Sequence, residues 1–267
     1  MKRYICLLLF VAVLLCACGA PAADNNTALT PGEYTTQPSE PISADLNDSS
    51  AMDMINPEII STIDPERPMI ALTFDDGPGP YTQRILDTLS ANNARATFFI
   101  VGNRVKSYPE TMQAIVDQGS EIGNHSWGHA SLVKLDEQGV REQLIWTNDE
   151  VEKNTGVRPV LLRPPYGEVN DSVTAIVKDV GMPIINWSID TLDWKTKDPH
   201  KTYDAIMGSV TNGCIILCHD IYEETAEAME TVIPDLVKAG YQLVTVSEML
   251  TLLEGGAIAG TVYRSVN

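Results

Sequence analysis

Met69-Ile-Ala-Leu-Thr-Phe-Asp75-Asp76-Gly-Pro-Gly-Pro80 is the stretch that decides the fold. An apolar, β-favouring run ends in two adjacent carboxylates and a glycine-proline turn. A short apolar run bounded by turn residues reads as a buried strand. No Gly-x-Gly-x-x-Gly follows it, so a dinucleotide-binding open sheet has no support. The Gly77-Pro78-Gly79-Pro80 turn is also too rich in proline to offer a row of backbone N–H groups to a phosphate.

Downstream the same unit recurs. Strands are expected at Met69–Phe74, Ala96–Val101, Glu121–Asn124, Val160–Arg163, Pro183–Ser188, Cys214–Cys218 and Gln242–Val246. Amphipathic stretches between them predict helices over Thr82–Asn92, Pro109–Gln118, Asp136–Thr155, Ser172–Val180, Thr202–Thr211 and Glu224–Ala239. Gly119, Gly156, Gly181, Gly213 and Gly240 each follow a helix candidate, where a left-handed residue is wanted. Asp171 or Asn170 suits the N-cap of the fourth helix. Strand and helix alternate about seven times, which predicts an α/β fold with a mostly parallel sheet under outer helices. A barrel and a doubly wound open sheet both fit; we expect a distorted, incompletely closed (β/α) barrel over residues 68–267.

Upstream the composition changes. Lys2 and Arg3 precede an apolar run, Ile5 to Ala17, too short to span a bilayer comfortably, so it reads as an export signal. The run ends Leu15-Cys16-Ala17-Cys18-Gly19, which resembles a bacterial lipobox. That resemblance implies a lipoprotein signal over residues 1–18, with diacylated Cys18 as the new N-terminus on the outer face of the cell membrane. Plain secretion with cleavage after Ala20 or Ala23 is the alternative. Residues 19–67 read as a disordered spacer: from Pro21 to Arg67 there are six prolines and nine acidic residues against Arg67 alone.

The whole chain has 267 residues and formal net charge −18. That balance argues against a nucleic-acid binder, which needs clustered Lys and Arg. Five cysteines are too few for a disulfide scaffold. Cys214 and Cys218 lie i,i+4 on one strand, too far apart to bridge, and read as core thiols.

In α/β barrels the reactive groups gather at the carboxyl ends of the strands, and the polar residues here sort onto those ends. Asp75 and Asp76 end the first strand. His125 and His129 follow the third; i,i+4 spacing on a helical turn would let them grip one metal ion, with Asp76 the natural third ligand. Two histidines and a carboxylate suit zinc or a non-haem iron, so ligand count leaves the metal open. Arg163 and Tyr166 follow the fourth strand, and an Arg there can hold a carboxylate ionised. His219 follows the sixth, where it can serve as a general acid or base. Asp193, or alternatively Asp190, is its orienting partner, and Trp194 supplies an apolar wall.

These segments, Thr73-Phe-Asp-Asp-Gly-Pro78, His125-Ser-Trp-Gly-His129, Arg163-Pro-Pro-Tyr166, Asp190-Thr-Leu-Asp-Trp194 and Leu217-Cys-His219, together resemble the polysaccharide deacetylases with a NodB homology domain, carbohydrate esterase family 4. The likeness runs from about Pro68 to Leu253. It implies a distorted β/α barrel and a hydrolase of linear amides. Asp75 would be the general base, steadied by Arg163. Asp76, His125 and His129 would hold a divalent metal, usually zinc, with cobalt, manganese, nickel or iron as alternatives. The Tyr166 N–H would face the oxyanion. His219 would be the general acid, supported by Asp193. Trp194 and Leu217 would line the pocket for the acetyl methyl. Export and tethering point to N-acetylglucosamine of peptidoglycan as substrate, with N-acetylmuramic acid, chitin oligomers, an exopolysaccharide or O-acetyl xylan open. A non-catalytic glycan-binding module and a peptide amidase are the rival classes. A monomer without a nucleic-acid partner is expected.

Overall fold

The computed structural model describes residues 63–266. The expected signal segment 1–18 with Cys18, and the expected linker as far as residue 62, lie outside the described residues.

β1 (Met69–Asp75) is the central strand. β2 (Thr97–Ile100) and β6 (Ile215–His219) flank it in parallel, β3 (Glu121–Asn124) pairs with β2, and β5 (Ile189–Asp190) pairs with β6. The order is β3-β2-β1-β6-β5, and β7 (Gln242–Leu243) pairs with Met69 and Ile70 at the start of β1. Beyond β3, parallel bridges at Leu162 lead to β4 (Ile184–Ile185), which pairs with β8 (Val262–Tyr263); Ser265 then bridges to Cys214 beside β6. The pairings thus run from β5 to β8, and the antiparallel bridge of Ser265 returns to the start of β6, giving a distorted barrel of mostly parallel strands.

The outer helices are α1 (Thr82–Ala91), α2 (Pro109–Asp117), α3 (Glu137–Thr155), α4 (Asp171–Asp179), α6 (Pro199–Met207) and α7 (Glu223–Lys238), joined by the short α5 (Asp193–Thr196) and α8 (Val246–Leu250). Asn170 caps α4, accepting from the Val173 N–H, and the five glycines expected after helices all take positive φ. Among the described residues no helix is long and apolar enough to cross a membrane.

Side chains alternate across a strand, and that alternation allots the strand residues to two cores. Met69 and Ala71 pack with Phe99, Leu161, Ile185, Ile215 and Val246 inside the barrel. Ile70, Leu72 and Phe74 pack with Phe98, Ile85, Leu89 and Met229 under the helices. Thr73 and Asp75 therefore continue the inward row of β1, as Leu217 and His219 continue that of β6. Cys218 has the opposite parity and is buried with the outer core; Cys214 is also buried, and both are free thiols.

Several expected strands are shorter than the sequence suggests. Val160–Arg163 is reduced to bridges at Leu162, because Pro159 and Pro164 leave only four residues between them. The Pro183–Ser188 strand stops at Ile185, where the Ile185 and Asn186 carbonyls accept from Arg163 instead of extending a ladder. The last strand ends at Leu243 because Thr245 and Glu248 form a capping box that starts α8. The expected helix over Thr202–Thr211 begins earlier, at Pro199, capped by Asp198. Residues 63–67, the end of the expected linker, pack on the barrel: Asp64 N–H donates to Gln242 Oε1, and Arg67 Nη2 donates to the Gly240 carbonyl.

Candidate active site

The site is built where β1 and β6 end side by side, with Asp75 in register with His219. The inward row delivers Asp75 to the interior, where it is 3 % exposed. Its Oδ1 accepts from Arg163 Nη1 at 2.7 Å. Arg163 is fully buried, and every arm of its fork is used: Nη1 also donates to Thr73 Oγ1, Nε to the Ile185 carbonyl and Nη2 to the Asn186 carbonyl. Its guanidinium lies 4.1 Å from the centre of the Phe99 ring. A planar donor set matched to four acceptors is what separates Arg from Lys at such a position.

Asp76 turns away from Asp75, with φ 71. Its Oδ1 lies 3.2 Å from His129 Nε2 and 3.5 Å from His125 Nε2. The histidines do not lie on a helical turn as expected. Ser126 and His129 have φ 67 and 56, and this left-handed path, not helical spacing, brings the two rings to 5.0 Å between centres. His125 Nδ1 is 2.7 Å from the Arg163 carbonyl. A carbonyl only accepts, so Nδ1 carries the proton and the Nε2 lone pair faces Asp76.

Among the described residues, one ligand atom each from Asp76, His125 and His129 lies within 4.8 Å of the others. Asp76 Oδ1 is buried, and no donor is well directed at it. A carboxylate oxygen facing two ring nitrogens, one with its lone pair turned inward, is a donor set that fits a divalent cation. Burial alone would raise the Asp76 carboxyl, but the imidazoles of His125, His129 and His219 gathered around it hold it well below the usual range. Burial would lower His125, yet Asp75 and Asp76 raise it on balance; burial and the neighbouring His125 lower His129.

The second charged pair stands across the site. His219 Nδ1 is 2.8 Å from Asp193 Oδ1. Asp193 Oδ2 accepts from the His219 N–H and from Thr225 Oγ1, and Oδ1 also accepts from the Trp194 N–H. Burial disfavours the charged imidazole, but the Asp193 hydrogen bond and charge dominate and push His219 up to about 9. Burial likewise opposes ionisation of Asp193, which His219 nevertheless holds below its ordinary value. Of the two carboxylates considered for this partnership, Asp193 takes it. Asp190 is exposed and accepts from the Leu192 N–H.

Leu217 is buried two residues before His219 on the same face of β6. Tyr166 and Trp194 are exposed on the rim, 65 % and 47 %. The Tyr166 ring meets His129 edge-on at 4.8 Å, in a turn where Tyr166 itself has φ 63. Sequence reasoning gave no role to Thr73, Thr225 or Asp220. Thr73 shares the inward parity of Asp75, a usable signal; nothing local marks Thr225, which reaches Asp193 from α7. Asp220 is fully buried, accepts from Thr82 Oγ1, and is raised by that burial to about 7.

The polysaccharide deacetylase profile matches residues 62–185. A solved structure of the peptidoglycan deacetylase PdaC from Bacillus subtilis superimposes with a TM-score of 0.67 at 43% identity, covering 70% of this chain and 91% of that one. The chain belongs to the polysaccharide deacetylase family. Two curated members are similar: the peptidoglycan-N-acetylmuramic acid deacetylase PdaC of Bacillus subtilis, 44% identical over 70% of this chain, and the peptidoglycan-N-acetylglucosamine deacetylase PgdA of Listeria monocytogenes, 40% identical over 67%. The matches span 40% and 38% of those relatives' own lengths. Polysaccharide deacetylases are metal-dependent in general, and among the described residues Asp76, His125 and His129 form a cluster able to hold a metal. The polysaccharide deacetylase profile takes in Asp75, Arg163 and all three of those residues but stops short of Asp193 and His219, the pair expected from the sequence and found 2.8 Å apart in the fold.

Proposed function

We propose that this chain is a metal-dependent hydrolase that removes N-acetyl groups from a polysaccharide and releases acetate. The observation that carries the reading is the juxtaposition of two charged devices: Asp75, locked by Arg163 beside the Asp76, His125 and His129 cluster, and the His219–Asp193 pair in register with Asp75.

Asp76, His125 and His129 would hold the metal, zinc first among those the donors suit, with cobalt, manganese, nickel or iron as alternatives. A divalent ion bound there supplies Lewis-acid polarisation of the acetyl carbonyl and of water. Asp75 has Oδ1 fixed by Arg163, so its second oxygen, 3.7 Å from His125 Nε2, is free to take the proton of the attacking water. The Tyr166 N–H is assigned to the developing oxyanion. His219, charged at neutral pH through Asp193, delivers a proton from Nε2 to the leaving amine. That proton is needed because an amide nitrogen leaves poorly as an anion. Trp194 and Leu217 wall the methyl pocket.

N-acetylglucosamine of peptidoglycan is the leading substrate, supported by the names of the similar proteins and by the export signal read in residues 1–18. One similar protein is named for N-acetylmuramic acid and another for N-acetylglucosamine, so both sugars enter the test. We place the chain outside the cell membrane, tethered through Cys18. Acetate released from purified acetylated glycans with added zinc is the direct assay. A glycan-binding module releases none, and a peptide amidase gives new peptide amines instead. Mass spectrometry of muropeptides from cells lacking the protein tests the wall assignment, through loss of deacetylated species.

A further inference from the structure

Asp76 sits at φ 71 without being glycine. That conformation is strained and persists only where the surroundings over-determine it. Three tethers hold the turn after it. Val101 N–H donates to the Gly77 carbonyl, and Arg104 Nε donates to the Pro78 carbonyl. The third ends at Asp220, the residue after β6: Gly79 N–H donates to Thr82 Oγ1, and Thr82 Oγ1 donates to Asp220 Oδ2 at 2.5 Å.

The Asp220 carboxylate also lies flat against Gly77. A Cβ at residue 77 would overlap Asp220 Oδ2 and sit 2.5 Å from Oδ1. Gly77 does not have positive φ among the glycines that do, so the packing against Asp220, not the backbone angle, demands glycine there. Asp220 is fully buried, and its Oδ1 meets no hydrogen-bond donor among the described residues. A buried carboxyl group kept at such expense in solvation belongs to something more specific than filling space.

We propose that Asp220 is a positioning residue for the metal site: through Thr82 and by contact with Gly77 it fixes the Asp76 turn so that Asp76 Oδ1 faces His125 and His129. This rests on the reading of those three residues as metal ligands. Asp220 is not one of the three clustered residues; it acts through the turn, as outer partners of metal ligands do.

The test uses the full chain and zinc alone, with affinity read by competition against a chromophoric chelator and folding checked by circular dichroism. Asp220→Ala is expected to weaken zinc binding about 10-fold or more, the range such partners show. Asp220→Asn keeps an oxygen for Thr82 and the same volume, and is expected to stay within about 3-fold of the unaltered chain by that same logic. Should Asp220→Ala fail to fold, Thr82→Val, which removes the hydroxyl at constant shape, is expected to weaken zinc binding while Thr82→Ser restores it. An Asp220→Ala or Thr82→Val protein that folds and binds zinc as tightly as the unaltered chain overturns the inference alone. An unaltered chain that binds no zinc overturns the reading of the ligands beneath it.

Discussion

Arg163 Nη1 and Asp75 Oδ1 meet at 2.7 Å with neither side chain more than 4 % exposed. A buried pair of this kind is costly to break from one side, because the survivor is left charged and unpaired. Arg163→Ala is expected to destabilise the fold by about 3 to 5 kcal/mol, read as a lower urea midpoint. Arg163→Lys should recover only part of this, since one ammonium cannot serve Asp75, Thr73, Ile185 and Asn186 in their present directions.

Asp75→Asn separates chemistry from binding. The amide oxygen still accepts from Arg163, so folding should survive with a smaller loss than Arg163→Ala. The amide is not basic, so turnover should fall by about 10²- to 10⁴-fold, the usual worth of a general base. Zinc affinity should hardly change, because Asp75 is not among the three ligands. An Asp75→Asn protein that released acetate at the unaltered rate would refute the assignment.

Removal of the metal has two expected signatures. Dialysis against a chelator should abolish acetate release, and zinc should restore it. It should also lower the melting temperature, because an ion that binds only the folded chain stabilises it, by about 2.7 kcal/mol when present at 100 times Kd. Asp76→Ala and His129→Ala should lose both the zinc rescue and the zinc-dependent shift in melting temperature. A chelated protein with unchanged activity sinks the metal-dependent mechanism.

Much of this site is legible because its chemistry is local. Asp75 and Asp76 sit at the end of an apolar run, and strand-to-strand parity sends Asp75 inward. The histidine spacing marks a pair but misleads about its backbone: nothing in Ser126 or His129 announces a left-handed angle, and both take one. The shortened strands are hidden for a different reason. Arg163 draws the Ile185 and Asn186 carbonyls out of the ladder from more than 20 residues away, a contact no local pattern encodes. The turn into α8 is the reverse case, since Thr245 and Glu248 spell a capping box that a strand reading overlooks. β8 is only two residues, Val262 and Tyr263, too short to register as a period.

The His219–Asp193 pair makes the most direct prediction about pH. His219 is raised from 6.5 to about 9 in the folded chain. A raised imidazole contributes stability that is fully present below its unfolded value and is lost as pH rises through the folded value, here from about 6.5 to about 9. Asp193 is lowered, so the same interaction is present above the ordinary carboxylate range and is lost as pH falls through the depressed value. The pair therefore stabilises the fold most fully between the ordinary Asp value of 3.8 and pH 6.5. The whole difference at His219 is on the order of 3 kcal/mol. A bound dication opposes the part of the shift due to Asp75 and Asp76, so the metal-loaded protein should titrate below the metal-free one. Asp193→Asn removes the dominant raising cause while burial remains, and should drop His219 to its ordinary value or below. The basic limb of acetate release should move to lower pH with it. Nuclear magnetic resonance of the His219 ring across pH 5 to 10, in the unaltered and Asp193→Asn proteins, reads both shifts. If the ring titrates alike in the two proteins, Asp193 is not what keeps this acid charged.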